Sequence, residues 1–279
     1  VYVRLTVDKT SGGLNDPQSR YLGASPIIFH DVQPSGHLIA FCTKPYLIFS
    51  ERSRLMMVPM ACDGYHGFAA FSTPAIPNSI LAIGRDHFSI IMVDNHELPF
   101  NGRIKAASLY PVKRVYSCES LGIFVAVESE KSQSRVCLYT ENCTLLTSID
   151  IGDKTTNSAI LTQFEDRENE WFLLCGTTGN DGKYEIQTFS FNLAETTLTA
   201  VHTTECLDKP NVMISFAGKL LVGGDTGVRL YDLGKKKLLR KCEALLPSAV
   251  HFLDSQGLRV YAGTSMSSVM FLIYRPVQN

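Results

Sequence analysis

The chain has 279 residues, 45% hydrophobic and 19% charged, enough to bury a large core in one or two globular domains. A formal net charge of −1 excludes a molecule whose whole surface is built to coat nucleic acid or an anionic membrane. No apolar run approaches the ~20 residues that a membrane helix requires, and no membrane role is expected.

The chain opens with Val1 and strand-like sequence, and we expect it to have been cut from something longer. From there on helical periodicity is nearly absent, and short β-branched and aromatic runs alternate with Gly, Pro, Asn, Asp and Ser. One five-residue strand recurs: IAFCT at 39, ILAIG at 80, IFVAV at 123, FLLCG at 172, LLVGG at 220 and RVYAG at 259. Each leads through a polar or glycine turn into a second strand, from YLIFS at 46 and FSIIMV at 88 to VRLYDL at 228 and VMFLIY at 269. The first five copies add a more polar third segment: RLMMVPM at 54, ELPFN at 97, LLTSIDI at 145, LTAVHTT at 198 and KLLRKCE at 237. Another short apolar run precedes the recurring strand, as in SPIIFHDV at 25, VKRVYS at 112, VMISFA at 212 and SAVHFL at 248.

Four strands per ~40–50 residues, grading from apolar to polar, predict an all-β fold: a β-propeller of four-stranded blades. About six repeats are visible, implying a seven-bladed ring or a fragment of one. Residues 1–279 are read as a single propeller domain whose last blade is incomplete. The recurring apolar strand is expected to be the inner one, walled by neighbouring blades. The polar third segment is expected at the outer edge, where charge discourages pairing with other chains.

The outer segment of the fifth repeat stands out. In YDLGKKKLLRKCE, residues 231–243, the cations Lys235, Lys236, Lys237, Arg240 and Lys241 fall within seven positions, and without them the remainder of the chain carries −6. Edge protection accounts for lysines on an outer strand. Five in so short a span also point to an acidic or phosphate-bearing partner. No aromatic residues are interleaved for base stacking, so single-strand readout is not expected. Leu238 and Leu239 are expected to supply the apolar grip of that strand.

Elsewhere the motifs read as turns and packing. VGGDTG (222–227) lacks the Gly-Lys-Ser/Thr of a phosphate loop and is expected to form a hairpin turn, as is GTTGNDG (176–182). GTSMS at 263 lacks the last glycine of a nucleophile elbow. EDRENE (165–170) reads as an acidic loop between strands, and ERSRLMM (51–57) and YHGFAAF (65–71) as packing or contact surfaces. Seven histidines are scattered without metal-ligand spacing, and eight cysteines show neither CxxC nor CxH. Cys42, Cys137 and Cys175 lie in apolar runs, where a thiol acts as a small hydrophobe, and a reducing compartment is expected. No catalytic, cofactor or metal residues are assigned.

Two stretches carry a family resemblance. FAGKLLVGGDTGVRLYDLGKKKLLRKCE (216–243) resembles the splicing factor 3b subunit 3 family of large propeller scaffolds. YLGASPIIFHDV (21–32) with HLIAFCTKPYLIFSERSRLMMVPM (37–60) resembles the opening of the third propeller in the wider family. That family includes damaged-DNA-binding protein subunit 1 and the large cleavage and polyadenylation specificity factor subunit. TKPYLIFSE (43–51) and SVMFLIYRP (268–276) look more like the damaged-DNA-binding member, an adaptor of cullin-RING ubiquitin ligases. The resemblance implies three propellers and a helical tail, no enzyme activity and no cofactor. It implies a nuclear scaffold of the splicing factor 3b complex in the U2 small nuclear ribonucleoprotein, supporting branch-site recognition. Its partners would be the helical-repeat subunit and the very small subunit of that complex, with RNA touched only indirectly or at the periphery. The alternative is the ligase adaptor.

Overall fold

A computed structural model describes residues 2–7, 14–22, 27–42, 44–52, 54–60, 64–85, 87–93, 103–107, 111–130, 133–266 and 268–276. The chain divides into two compact units, Val1–Arg85 with Ser89–Ile104, and Asp86–Phe88 with Lys105–Asn279. Among the described residues the secondary structure is all strand apart from one 3-10 turn, Glu119–Leu121.

The first unit opens with a hairpin, β1 (Tyr2–Val7) and β2 (Leu14–Arg20). A four-stranded sheet follows in chain order: β3 (Ile28–Val32), β4 (His37–Phe41), β5 (Pro45–Glu51) and β6 (Arg54–Pro59). The next sheet is β7 (Tyr65–Ala70), β8 (Ser79–Gly84), β9 (His87–Met92) and β10 (Arg103–Ala107). Val32, Ile39, Leu47 and Phe49 of one sheet meet Phe68, Ile80, Ala82 and Ile91 of the other in a shared core. The segment ELPFN (97–101), expected as the outer strand of this repeat, lies outside the described residues, and β10 occupies the fourth place in the sheet.

The second unit repeats the plan. Its sheets are β11 (Val112–Cys118), β12 (Ile123–Glu130), β13 (Gln133–Thr140) and β14 (Leu145–Gly152); then β15 (Thr155–Phe164), β16 (Arg167–Thr178), β17 (Tyr184–Asn192) and β18 (Thr197–Cys206). Next come β19 (Val212–Phe216), β20 (Lys219–Gly223), β21 (Gly227–Asp232) and β22 (Leu239–Leu245). The last is three-stranded: β23 (Val250–Gln256), β24 (Arg259–Thr264) and β25 (Val269–Ile273). Every pairing whose register is resolved is antiparallel between chain neighbours, so each sheet is a meander. Four-stranded antiparallel meanders packed in series are the blades of a β-propeller, and that is the fold class of this chain.

The packing explains the recurring strand and corrects its place. In every repeat it is the second strand, and the strands in fullest contact from sheet to sheet in the second unit are the first ones: β11 with β15, β15 with β19 and β19 with β23. The apolar run is continuous because the second strand is covered on both faces. Along β16, Leu173 and Cys175 enter the core shared with the β11–β14 sheet, while Phe172 and Leu174 enter the one shared with the β19–β22 sheet. Along β20, Leu220 and Val222 face back to the β15–β18 sheet, and Leu221 faces on to the β23–β25 sheet. Period-2 alternation therefore puts an apolar residue at every position. Fully burying each such side chain contributes ~1.5–3 kcal/mol.

Most of the described cysteines follow the same rule, Cys206 being half-buried and Cys242 exposed. All seven within the described residues are free thiols. Burial first, then the Glu128 carboxylate, pushes Cys137 up to about 12, and burial likewise raises Cys175. Both are buried, and they serve as core packing.

Candidate partner-binding surface

The candidate residues sit on the β20–β21–β22 portion of the second unit. At one end the β20–β21 hairpin turns through Gly224–Thr226, the expected turn of VGGDTG. Gly227 has φ +151°, and a Cβ there would press on the Ala244 carbonyl oxygen, so only glycine closes this turn. The Asp208 carboxylate organises it, accepting from the backbone N–H and the hydroxyl of Thr226, each at 2.7 Å.

Arg229, only 5% exposed, lies beneath this turn. It reaches Asp208 at 2.5 Å and Glu243 at 3.2 Å, and donates to the Thr226 hydroxyl at 2.9 Å. Burial alone would raise the Asp208 carboxyl; the Arg229 guanidinium and Thr226 outweigh it and hold the group below the ordinary carboxylate range. This network closes on itself and is structural.

At the opposite end of β21 the chain leaves the sheet before re-entering it. Lys235, Lys236 and Lys237 occupy an exposed bend, and β22 begins only at Leu239. The expectation of an outer strand carrying all five cations is corrected here: Lys235–Lys237 form an exposed bend, and the strand begins only after the buried Leu238. The expected apolar grip is also halved. Leu238 is 2% exposed and buried with Phe164, Phe172 and Tyr231, its N–H donating to the Thr204 hydroxyl at 2.8 Å, whereas Leu239 is 44% exposed.

The register then sorts the five cations. The pairing runs Leu230↔Cys242 and then Tyr231↔Arg240, leaving Lys241 as the extra residue of a β-bulge. In a regular strand residues three apart face opposite ways; the bulge lets Arg240 and Glu243 share a side, where they pair at 3.1 Å. Lys241 lies 3.5 Å from Asp232, a carboxylate also approached by Lys219 at 3.8 Å. Among the described residues Lys235, Lys236 and Lys237 make no ion pair. The structure therefore divides the cluster: two cations are satisfied within the fold and three are presented together on a fixed turn.

Beside that turn runs an open groove of about 770 Å³, with Tyr231 and Leu238 in its wall, Lys237 and Arg240 on one lip and Thr203 and Glu205 on the other. The apolar Leu207, 69% exposed, and Leu239 complete it. This groove had no signal in the sequence, because its lips come from β18 and β22 of different repeats.

The remaining motifs are quieter. EDRENE is a hairpin rather than a loop: Phe164 pairs with Arg167, so its last four residues belong to β16. Phe68, Ala69 and Phe71 of YHGFAAF are buried, which makes that stretch packing. Ser53 of ERSRLMM, Ser267 of GTSMS and His96 lie outside the described residues. Among the described residues no group of His, Cys, Asp and Glu is placed to hold a metal ion, and no helix is long and apolar enough to cross a membrane.

Known proteins match along the whole chain. A family model described as the RSE1/DDB1/CPSF1 second beta-propeller matches residues 1–93, and one described as the CPSF A subunit region matches residues 131–279, more than half of the chain. Pre-mRNA-splicing factor RSE1 of Mycosarcoma maydis is 26% identical over 334 residues, covering 100% of this chain and 27% of that protein. Pre-mRNA-splicing factor prp12 of Schizosaccharomyces pombe is 22% identical over 322 residues, with 100% and 26% covered. Splicing factor 3B subunit 3 of Danio rerio is 24% identical over 348 residues, with 100% and 28% covered. The chain thus spans about a quarter of the length of these relatives. On the match over residues 131–279, set on a fold of serial four-stranded meanders, the chain belongs to the CPSF A subunit region family.

Proposed function

We propose that this chain is part of a non-enzymatic scaffold of the splicing factor 3b complex, acting within the U2 small nuclear ribonucleoprotein in the nucleus to support branch-site recognition in pre-mRNA splicing. The observation that carries this reading is the run of relatives named as splicing factors, each matched over 100% of the chain. The physical character of the fold supports it. Blades that share cores on both faces hold their loops in place before a partner arrives, so docking costs little ordering entropy. Asp208 and Arg229, two polar groups of the second unit, are spent on holding a turn. The partners in this reading are the helical-repeat subunit and the very small subunit of the same complex, with RNA contact indirect or peripheral.

Affinity purification of the full-length protein from nuclear extract tests it. Splicing factor 3b subunits and U2 RNA should co-purify. Recovery of a cullin and ligase substrate receptors in their place would overturn the splicing assignment in favour of a ubiquitin-ligase adaptor.

A further inference from the structure

We propose that the groove between β18 and β22 docks a short acidic peptide segment of a protein partner, its carboxylates on the Lys235–Lys237 turn and its aliphatic side chains against Leu207 and Leu239. The inference rests on the scaffold reading only in treating partner capture as the purpose of the surface.

Charge complementarity decides the chemistry of the occupant. Three adjacent lysines repel one another, and none of them makes an ion pair among the described residues. Yet the turn that carries them is anchored by the buried Leu238 and its bond to Thr204 rather than left loose. A cationic turn held in one place, beside the wall of a groove, is preorganised for an anion arriving along that groove. Arg240 can join it, because its pair with Glu243 is exposed, and an exposed pair is weak enough to be exchanged for a partner carboxylate. Leu207 and Leu239, two of the large apolar side chains left in solvent, border the same groove and supply the apolar part of the recognition.

The same lining argues against a nucleic-acid strand. Glu205 stands exposed on the opposite lip, where it repels a continuous phosphate backbone, while Glu185 deeper in the groove is paired with Lys154. Tyr231, the one aromatic residue among the described lining residues, is 5% exposed and offers no face for base stacking. A short segment with carboxylates toward one lip and aliphatic groups toward the wall satisfies both sides.

Fluorescence anisotropy with the full chain tests this, using a labelled peptide of alternating Glu and Leu, a matched peptide of alternating Lys and Leu, and an oligouridylate. The Glu–Leu peptide should bind, more tightly at low salt, and the Lys–Leu peptide should not. Lys235→Glu/Lys236→Glu/Lys237→Glu should weaken binding about ten-fold or more, as should Leu239→Asp. Leu207→Asp, at a still more exposed position, is a second check on the apolar contact. These substitutions lie on the surface, so an unchanged thermal melt separates lost binding from lost fold. No binding of the Glu–Leu peptide, equal binding of the Lys–Leu peptide, or indifference to the substitutions would overturn the proposal. Tighter oligouridylate binding that the lysine substitutions abolish would overturn it in favour of a phosphate ligand. None of these results depends on which complex co-purifies with the protein, so the proposal and the splicing assignment fail independently.

Discussion

Two cationic features share the β21–β22 hairpin, and they have opposite fates. Arg229 is buried and paired with the half-buried Asp208 and the more exposed Glu243 of the same chain. Lys235, Lys236 and Lys237, in the bend beyond the far end of β21, stand in solvent with no carboxylate engaged among the described residues. A charge taken out of water has to be matched at once, so Arg229 is surrounded by its partners in the same chain. A charge left in water costs the fold little and stays available to another molecule. Basic residues close together in sequence can therefore belong to different jobs, and burial is what separates them.

That contrast can be broken in measured steps. Arg229→Ala should have the largest effect, about 3 kcal/mol of lost stability by urea denaturation, because the half-buried Asp208 would keep its Thr226 bonds but lose its cation. A loss near zero would mean that the network contributes nothing net and that the two clusters differ only in location. Leu238→Ala comes next, at about 2 kcal/mol, since it removes a side chain 2% exposed from the core that anchors the lysine turn. The same substitution should weaken peptide binding if anchoring matters, and binding that survives would show the turn acts without its anchor.

Acid sharpens the comparison further. Asp208 titrates below its ordinary value of ~3.9, so its contribution is fully present above that pH and is lost as pH falls through the lower, folded value. Stability measured from pH 5 downward should therefore decline more steeply in the parent chain than in Asp208→Asn, and parallel curves would remove Asp208 from the account. The smallest effect belongs to the lysine turn: Lys235→Glu/Lys236→Glu/Lys237→Glu should shift stability by less than about 0.5 kcal/mol in either direction. A larger loss would show that these cations serve the fold after all.

Much of the architecture was legible in the residues. IFVAV, FLLCG and LLVGG announce strands covered on both faces, and their regular spacing announces a repeated meander. What the pattern did not show was the order within a sheet. A strand second in line and one lining a central axis can be equally apolar, and only contacts between β11, β15, β19 and β23 tell them apart. The division into two compact units left no mark either, because the repeat continues across it. In the candidate site all five cations were visible, but Arg240 and Lys241 looked the same as Lys235.

The amino-acid sequence by itself determined the strand repeat, the apolar interior and the place in the chain where positive charge gathers. These follow from side-chain periodicity and composition, which are local properties. Only the tertiary structure decided which cations are spent and which are free. The bulge after Leu230 turns Arg240 toward Glu243 and Lys241 toward Asp232, and Leu238 pins the lysine turn beside a groove built with the neighbouring repeat. Electrostatic pairing depends on distance through space, and that distance is set by register and by packing between strands remote in the chain.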